Sequence, residues 1–199
     1  MRINACINIG YREKIFHSPL RTPFASCAKV SKHAGTAKKG ATMDRVFIHG
    51  LESSSQGTKG SFFRKKYPEM IIEDFVGSLE QRMEKLNKIL ADKTDLILVG
   101  SSYGGLMATI YACNNEKKIK KLILLAPALN LPEFKPYPGN RLIIPVTIYH
   151  GLHDDVVPFR PVQDIARTLF ANLTFHTVED DHFLQKIFNT LNWDDLLRP

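Results

Sequence analysis

Apolar positions from residue 43 onward follow two alternating patterns. Compact blocks of strand length, rich in Val, Ile, Leu and Phe, fall at 45–49, 70–75, 96–99, 121–126, 143–149 and 173–178. Segments of helical character lie between and after them, around 61–66, from 79 onward, and at 106–113, 161–171 and 183–191. The clearest follows Ser78: Leu79, Met83, Leu86 and Leu90 recur on one face of a 3.6-residue period, and Ser78 offers a side-chain oxygen to the first turn. The blocks at 96–99 and 121–126 are apolar throughout, as strands covered on both faces are. Strands separated by helices require right-handed crossovers, which build a mostly parallel sheet. The expected class is α/β: one domain with about six strands, helices on both faces, and polar groups gathered at the carboxyl ends of the strands. Prolines at 127, 132, 136 and 138 exclude a long helix there and place that segment above the strand ends.

Residues 1–42 show neither period. They carry eight basic side chains and one acid, so the whole net charge of +7 lies in this segment and the rest of the 199-residue chain is neutral. A neutral folded part removes the electrostatic case for binding nucleic acid. The segment reads as a disordered basic extension preceding a domain that spans 43–199. Asn4 and Asn8 interrupt any secretory apolar core. The abrupt change of composition makes Met43 the expected functional start and 1–42 an upstream extension; an organelle-targeting segment is the alternative, and the domain itself is expected to be cytoplasmic. Apolar runs are too short for a stable membrane anchor. Cys6, Cys27 and Cys113 show no paired spacing, so neither a disulfide framework nor a zinc site is expected, and Cys113 reads as a small buried hydrophobe.

The chemistry concentrates at the block ending in Leu98-Val99-Gly100-Ser101-Ser102-Tyr103-Gly104-Gly105. Gly-x-Ser-x-Gly between a strand and a helix is the setting of a nucleophile elbow, where a serine sits on a sharp, strained turn. Side chains at Gly100 and Gly104 would collide with the adjoining helix and strand. Ser102 fits the frame, whereas Ser101 would need a glycine where Val99 stands. Three other strand ends are polar: His49-Gly50-Leu51 after the first, His150 to Pro158 after the fifth, and Glu179-Asp180-Asp181-His182 after the sixth. His182, on a loop before a helix, stands where an imidazole can reach back to Ser102. His49 is read as a structural hydrogen bonder and His176, inside a strand, as solvent-facing or structural.

With these motifs in this chain order, the sequence from Met43 onward resembles the α/β-hydrolase superfamily. Its small size and the opening His49-Gly50-Leu51-Glu52-Ser53-Ser54 look most like small bacterial YqiA-type esterases. The resemblance implies an α/β-hydrolase fold with a minimal lid over residues 127–139. It implies a Ser102, Asp154, His182 triad, the acid being taken from Gly151-x-x-Asp154-x-x-Val157-Pro158, with Asp155 pointing away. Backbone N–H groups of Leu51 and Tyr103 would form the oxyanion hole, and Leu129 and Phe134, with Leu131 and Tyr137, would offer apolar surface to substrate. Two strands of full-size members are not matched, so the first strand is expected nearer an edge and one face of the sheet less protected. The expected activity is hydrolysis of a carboxylic ester or thioester of short to medium acyl chain through an acyl-enzyme, with a small-molecule acyl substrate as partner and no metal or organic cofactor. An amidase or peptidase of the same fold, and a binding protein without turnover, are the alternatives.

Overall fold

The computed structural model describes residues 43–135 and 141–199. The basic extension 1–42 and Tyr137 lie outside the described residues.

Six strands form one sheet: β1 (Arg45–Ile48), β2 (Ile71–Ile72), β3 (Leu96–Ser101), β4 (Ile119–Leu125), β5 (Leu142–Gly151) and β6 (Phe170–Val178). Every pairing is parallel, in the spatial order β2-β1-β3-β4-β5-β6. Successive residues of a strand face opposite ways, so β1 sends Val46 and Ile48 into one core and Phe47 into the other. Likewise β3 sends Leu96 and Leu98 one way and Ile97 and Val99 the other. The first core is closed by α2 (Leu79–Ile89), α3 (Tyr103–Asn115) and α4 (Phe159–Leu169). The second is closed by α1 (Thr58–Lys66), α5 (Gln185–Phe188) and α6 (Trp193–Leu196). Helices therefore cover both faces, and the fold is the α/β arrangement the pattern predicts.

The second face is better covered than expected. Phe63 meets Trp193 edge-on at 4.7 Å and Phe188 at 5.5 Å, and the buried Trp193 indole donates to the Phe188 carbonyl at 2.8 Å. Aromatic pairs of this geometry add about 0.5–1.5 kcal/mol each beyond the area they bury. β1 is second from the edge, sheltered by the two-residue β2.

Two elements depart from the sequence pattern. The strand expected over 70–75 pairs only at Ile71 and Ile72, because the next backbone groups are bonded elsewhere: Asp74 O accepts from Lys85 Nζ, and Phe75 N–H donates to His49 Nε2. The closing helix expected over 183–191 shortens to α5, and α6 follows beyond that range. Leu184 has φ of +54°, and the Asp181 carboxylate takes the Phe183 and Leu184 N–H groups into a side-chain turn; Asn192 then caps the second helix on Asp195 N–H. By contrast α2 begins where Ser78 predicts, with a reciprocal cap in which Ser78 Oγ accepts from Gln81 N–H and Gln81 Oε1 from Ser78 N–H, a motif worth about 1 kcal/mol.

β1 and β3 are adjacent, yet the chain leaves β1 toward β2 and returns from β2 to β3. Strand order reverses there, which opens a crevice above the carboxyl ends of β1 and β3. Ser102 directly follows β3 at that crevice, and Leu51 stands in the turn three residues after β1.

Candidate active site

Ser102 sits between β3 and α3 with φ of +54° and ψ of −118°, a conformation that costs a non-glycine residue about 1–3 kcal/mol. The surroundings hold it there. Its N–H donates to Leu125 O at 2.8 Å, and its carbonyl accepts from Gly105, Leu106 and Ala128 N–H groups at 2.9, 3.2 and 3.1 Å. The flanking glycines are needed for contact: a Cβ on Gly100 would strike the Gly104 carbonyl and Gly105 Cα, and one on Gly104 would strike the Ile48 and His49 carbonyls. Gly50 backs onto the serine so closely that a Cβ would lie 3.3 Å from Ser102 Cβ.

The structure brings Ser102, His182 and Asp154 together. His182 Nε2 lies 3.0 Å from Ser102 Oγ, and His182 Nδ1 lies 2.8 Å from Asp154 Oδ2. The ionised carboxylate only accepts, so the imidazole proton sits on Nδ1 and Nε2 presents a lone pair to the serine hydroxyl. The His182 side chain is 9% exposed and that of Asp154 is fully buried. Asp154 Oδ1 accepts from Val156 and Val157 N–H groups at 3.0 and 2.7 Å. Burial by itself would raise the Asp154 carboxyl, but hydrogen bonds from His150, His182 and the Val157 amide outweigh it and hold the group well below the ordinary carboxylate range.

The loop that carries His182 is braced by its own acids. Buried Asp180 accepts through Oδ2 from Lys186 and Ile187 N–H groups at 2.9 and 3.0 Å. Lys59 Nζ donates to Phe183 O at 2.7 Å.

Leu51 stands in the turn after Gly50, and Tyr103 opens α3, where backbone N–H groups have no intrahelical acceptor. One cation touches both residues. Arg82, 4% exposed, sends Nη2 to Leu51 O at 3.4 Å and Nε to Gly77 O at 2.9 Å. Its guanidinium also lies 5.5 Å from the centroid of the Tyr103 ring, while Nη1 is buried without a partner. His49 is structural, as the sequence suggests: Nδ1 donates to Gly50 O at 2.7 Å and Nε2 accepts from Phe75 N–H at 2.9 Å. Burial lowers its pKa, which keeps that neutral form.

Of the residues expected to meet substrate, Leu129 and Phe134 are packed in the first core at 1% and 8% exposure, and partly buried Leu131 packs against it. Asp155 is exposed, His153 pairs with Glu179 in solvent at 2.9 Å, and exposed His176 stacks on Tyr149. Cys113 is half-buried, and burial pushes its thiol up to about 11. Among the described residues no group of three or more His, Cys, Asp or Glu side chains is placed to hold a metal ion, and no helix is long and apolar enough to cross a membrane.

Sequence reasoning missed Arg82, Asp180 and the contact of His150 with Asp154. Arg82 hides among the polar positions of the α2 stripe. Its signal would be a cation on the same turn as Met83 and Leu86, on a helix that packs beneath the first strand end.

Residues 52–138 match a family model described as alpha/beta hydrolase fold, a stretch that includes Ser102 and ends before Asp154 and His182. No curated protein sequence matches the chain. Among solved structures it is similar to alpha/beta hydrolase domain-containing protein 10 from mouse, at 20% identity and a TM-score of 0.63, over 77% of this chain and 89% of that one. It is also similar to Est1E from Butyrivibrio proteoclasticus, at 20% identity and a TM-score of 0.62, over 77% and 85% of the two chains. A monoacylglycerol lipase from Paleococcus ferrophilus aligns at 15% identity and a TM-score of 0.58, over 76% and 91%. The chain is an α/β-hydrolase-fold protein.

Proposed function

We infer that this chain is a serine hydrolase that cleaves a carboxylic ester or thioester by way of an acyl-enzyme. The observation that carries the reading is the continuous line from Ser102 Oγ to His182 Nε2 at 3.0 Å and from His182 Nδ1 to Asp154 Oδ2 at 2.8 Å. Ser102 attacks the acyl carbon as His182 takes its proton, and Asp154 fixes the imidazole tautomer and stabilises the imidazolium. The Leu51 and Tyr103 N–H groups receive the developing oxyanion, each contributing roughly 3 kcal/mol in the transition state. His182 returns the proton to the leaving oxygen or sulfur. Water then attacks the acyl-enzyme with the same groups acting in reverse. The name of the Paleococcus neighbour, a monoacylglycerol lipase, supports an ester as the bond cleaved.

Short to medium acyl chains are the proposed substrates, because the stretch between β4 and β5 is too short to form a large lid. The deciding experiment is labelling with a fluorophosphonate. The wild-type protein should label, and Ser102→Ala should not; a folded wild-type protein that stays unlabelled rejects an activated serine. A p-nitrophenyl series then reads chain length, and equal turnover of butyrate and oleate esters would refute the preference.

A further inference from the structure

Two imidazoles approach the Asp154 carboxylate, and only one of them reaches Ser102. The second is His150, near the end of β5, whose side chain has no solvent exposure. Its Nε2 lies 2.7 Å from Val157 O and 3.1 Å from Asp154 Oδ2. Both neighbours are acceptors, so Nε2 carries the proton and is shared between them. His150 Nδ1 is buried with no partner, and a proton there would be an N–H facing no acceptor, which a buried site disfavours. His150 is therefore a neutral donor of fixed tautomer. Its ring lies nearly parallel to Phe175, with centroids 6.2 Å apart.

A carboxylate offers about four lone-pair directions, and four donors lie around that of Asp154. Oδ1 receives the Val156 and Val157 amides, and Oδ2 receives His182 and His150. Rotation of the carboxylate would break two of these bonds at once.

We propose that His150 is a positioning residue for the reaction: its Nε2–H holds Asp154 Oδ2 in place and limits how strongly that oxygen draws the His182 proton. The proposal rests on the serine-hydrolase reading of the site. A carboxylate whose charge is shared among four donors stabilises the neighbouring imidazolium less than a bare one.

The other titratable and charged groups packed around this pair are engaged elsewhere. Asp180 binds the Lys186 and Ile187 amides, and Asp181 the Phe183 and Leu184 amides. Lys59 reaches the Phe183 carbonyl, His153 pairs with Glu179, and Asp155 is exposed. From the β1 side His49 is bound to Gly50 O and the Phe75 amide, and from α2 Arg82 is bound to Gly77 O and Leu51 O.

The test compares His150→Phe, which keeps the ring and its contact with Phe175, with His150→Gln, whose amide N–H replaces the donor. Two quantities are measured: the pH profile of ester kcat/KM, and the titration of the His182 imidazole followed by NMR in the resting protein. In His150→Phe the His182 imidazole resonances and the acid limb of the rate profile should move to higher pH together. Assayed on that limb, the shift is a ~10-fold loss of kcat/KM. His150→Gln should restore both.

A folded His150→Phe with an unmoved His182 titration overturns the proposal. So does a folded His150→Gln that titrates away from wild type, which keeps the idea testable if the Phe variant fails to fold. NMR reads the imidazole without turnover, so an inert Ser102 would abolish the rate profile yet leave the His182 titration to decide on His150. The functional reading and this proposal can therefore fail separately.

Discussion

Asp154→Asn replaces one oxygen by an NH2 group in a place where every neighbour is a donor. The new amide has two orientations. Turned toward Val156 and Val157, its NH2 would face two backbone N–H groups now 3.0 and 2.7 Å from Oδ1. Those donors cannot change form, and leaving both unmet in a buried site costs about 1–3 kcal/mol each. Turned the other way, the NH2 faces His182 and His150. His150 keeps the Val157 carbonyl at 2.7 Å, and His182 can shift its proton from Nδ1 to Nε2 and accept from the amide. The second orientation is cheaper, so the variant should fold with a modest loss of about 1–3 kcal/mol.

Its imidazole is then the wrong tautomer. Nε2 carries a hydrogen toward Ser102 Oγ, 3.0 Å away, and the serine has no base. Tautomer reversal in such a triad lowers kcat by ~10⁴-fold, as the handling of the same substitution in serine proteases illustrates, equivalent to about 5.5 kcal/mol of transition-state stabilisation. The assay is kcat on p-nitrophenyl butyrate, with urea unfolding to confirm the fold and ¹⁵N NMR to locate the imidazole proton. A folded variant within tenfold of wild-type kcat, or one whose His182 proton remains on Nδ1, would refute the reasoning.

Three further outcomes follow from the geometry. Asp154 has a folded-state carboxyl below its ordinary value of 3.8, so its contribution to stability is full above that value and is lost as pH falls below it; acid unfolding should show this limb in the wild-type protein and lack it in Asp154→Asn. Gly104→Ala would push a methyl group into the Ile48 and His49 carbonyls and should destabilise by about 1–3 kcal/mol while lowering kcat, because the same displacement separates Leu51 from the elbow; a variant with unchanged melting and turnover contradicts it. The Cys113 thiol, held up to about 11 by burial, should react with iodoacetamide at pH 8 far more slowly in the folded protein than after unfolding, with labelling at that residue mapped by mass spectrometry; equal rates would show the site to be open.

The elements that position Ser102, Asp154 and His182 were legible because each depends on short-range constraints. A parallel strand buried on both faces must be apolar, and a strained serine turn must carry small neighbours. Loops that bring an acid and an imidazole to one rim follow β5 and β6, whose apolar blocks are plain in the sequence. The misjudged parts depend on where particular hydrogen bonds go. β2 stops at Ile72 because His49 and Lys85 take the next backbone groups, and the expected closing helix starts late because Leu184 stands in the left-handed region, in a turn held by Asp181. Leu129 and Phe134 looked like pocket walls because they are apolar and follow β4. Tertiary packing instead turns them into the core, a choice that hydrophobicity alone does not encode. The partnership of His150 with Asp154 was hidden for a related reason: a histidine near the end of an apolar strand shows its role only when the loop after β5 folds back to bring Val157 and Asp154 to it.

The way the strands share out the site divides it into two mechanical bodies. Asp154 and His182 hang from neighbouring strands whose loops are stitched together, Leu152 N–H to Val178 O and His153 N–H to Asp180 O, so acid and imidazole travel as a unit. Ser102 belongs to β3 and its deeply buried helix, on the far side of β4. The contact between hydroxyl and imidazole therefore joins two separately anchored parts, whereas the imidazole–carboxylate bond lies within one of them. In the reaction proposed above, that seam is where the leaving group would depart and a water molecule would enter.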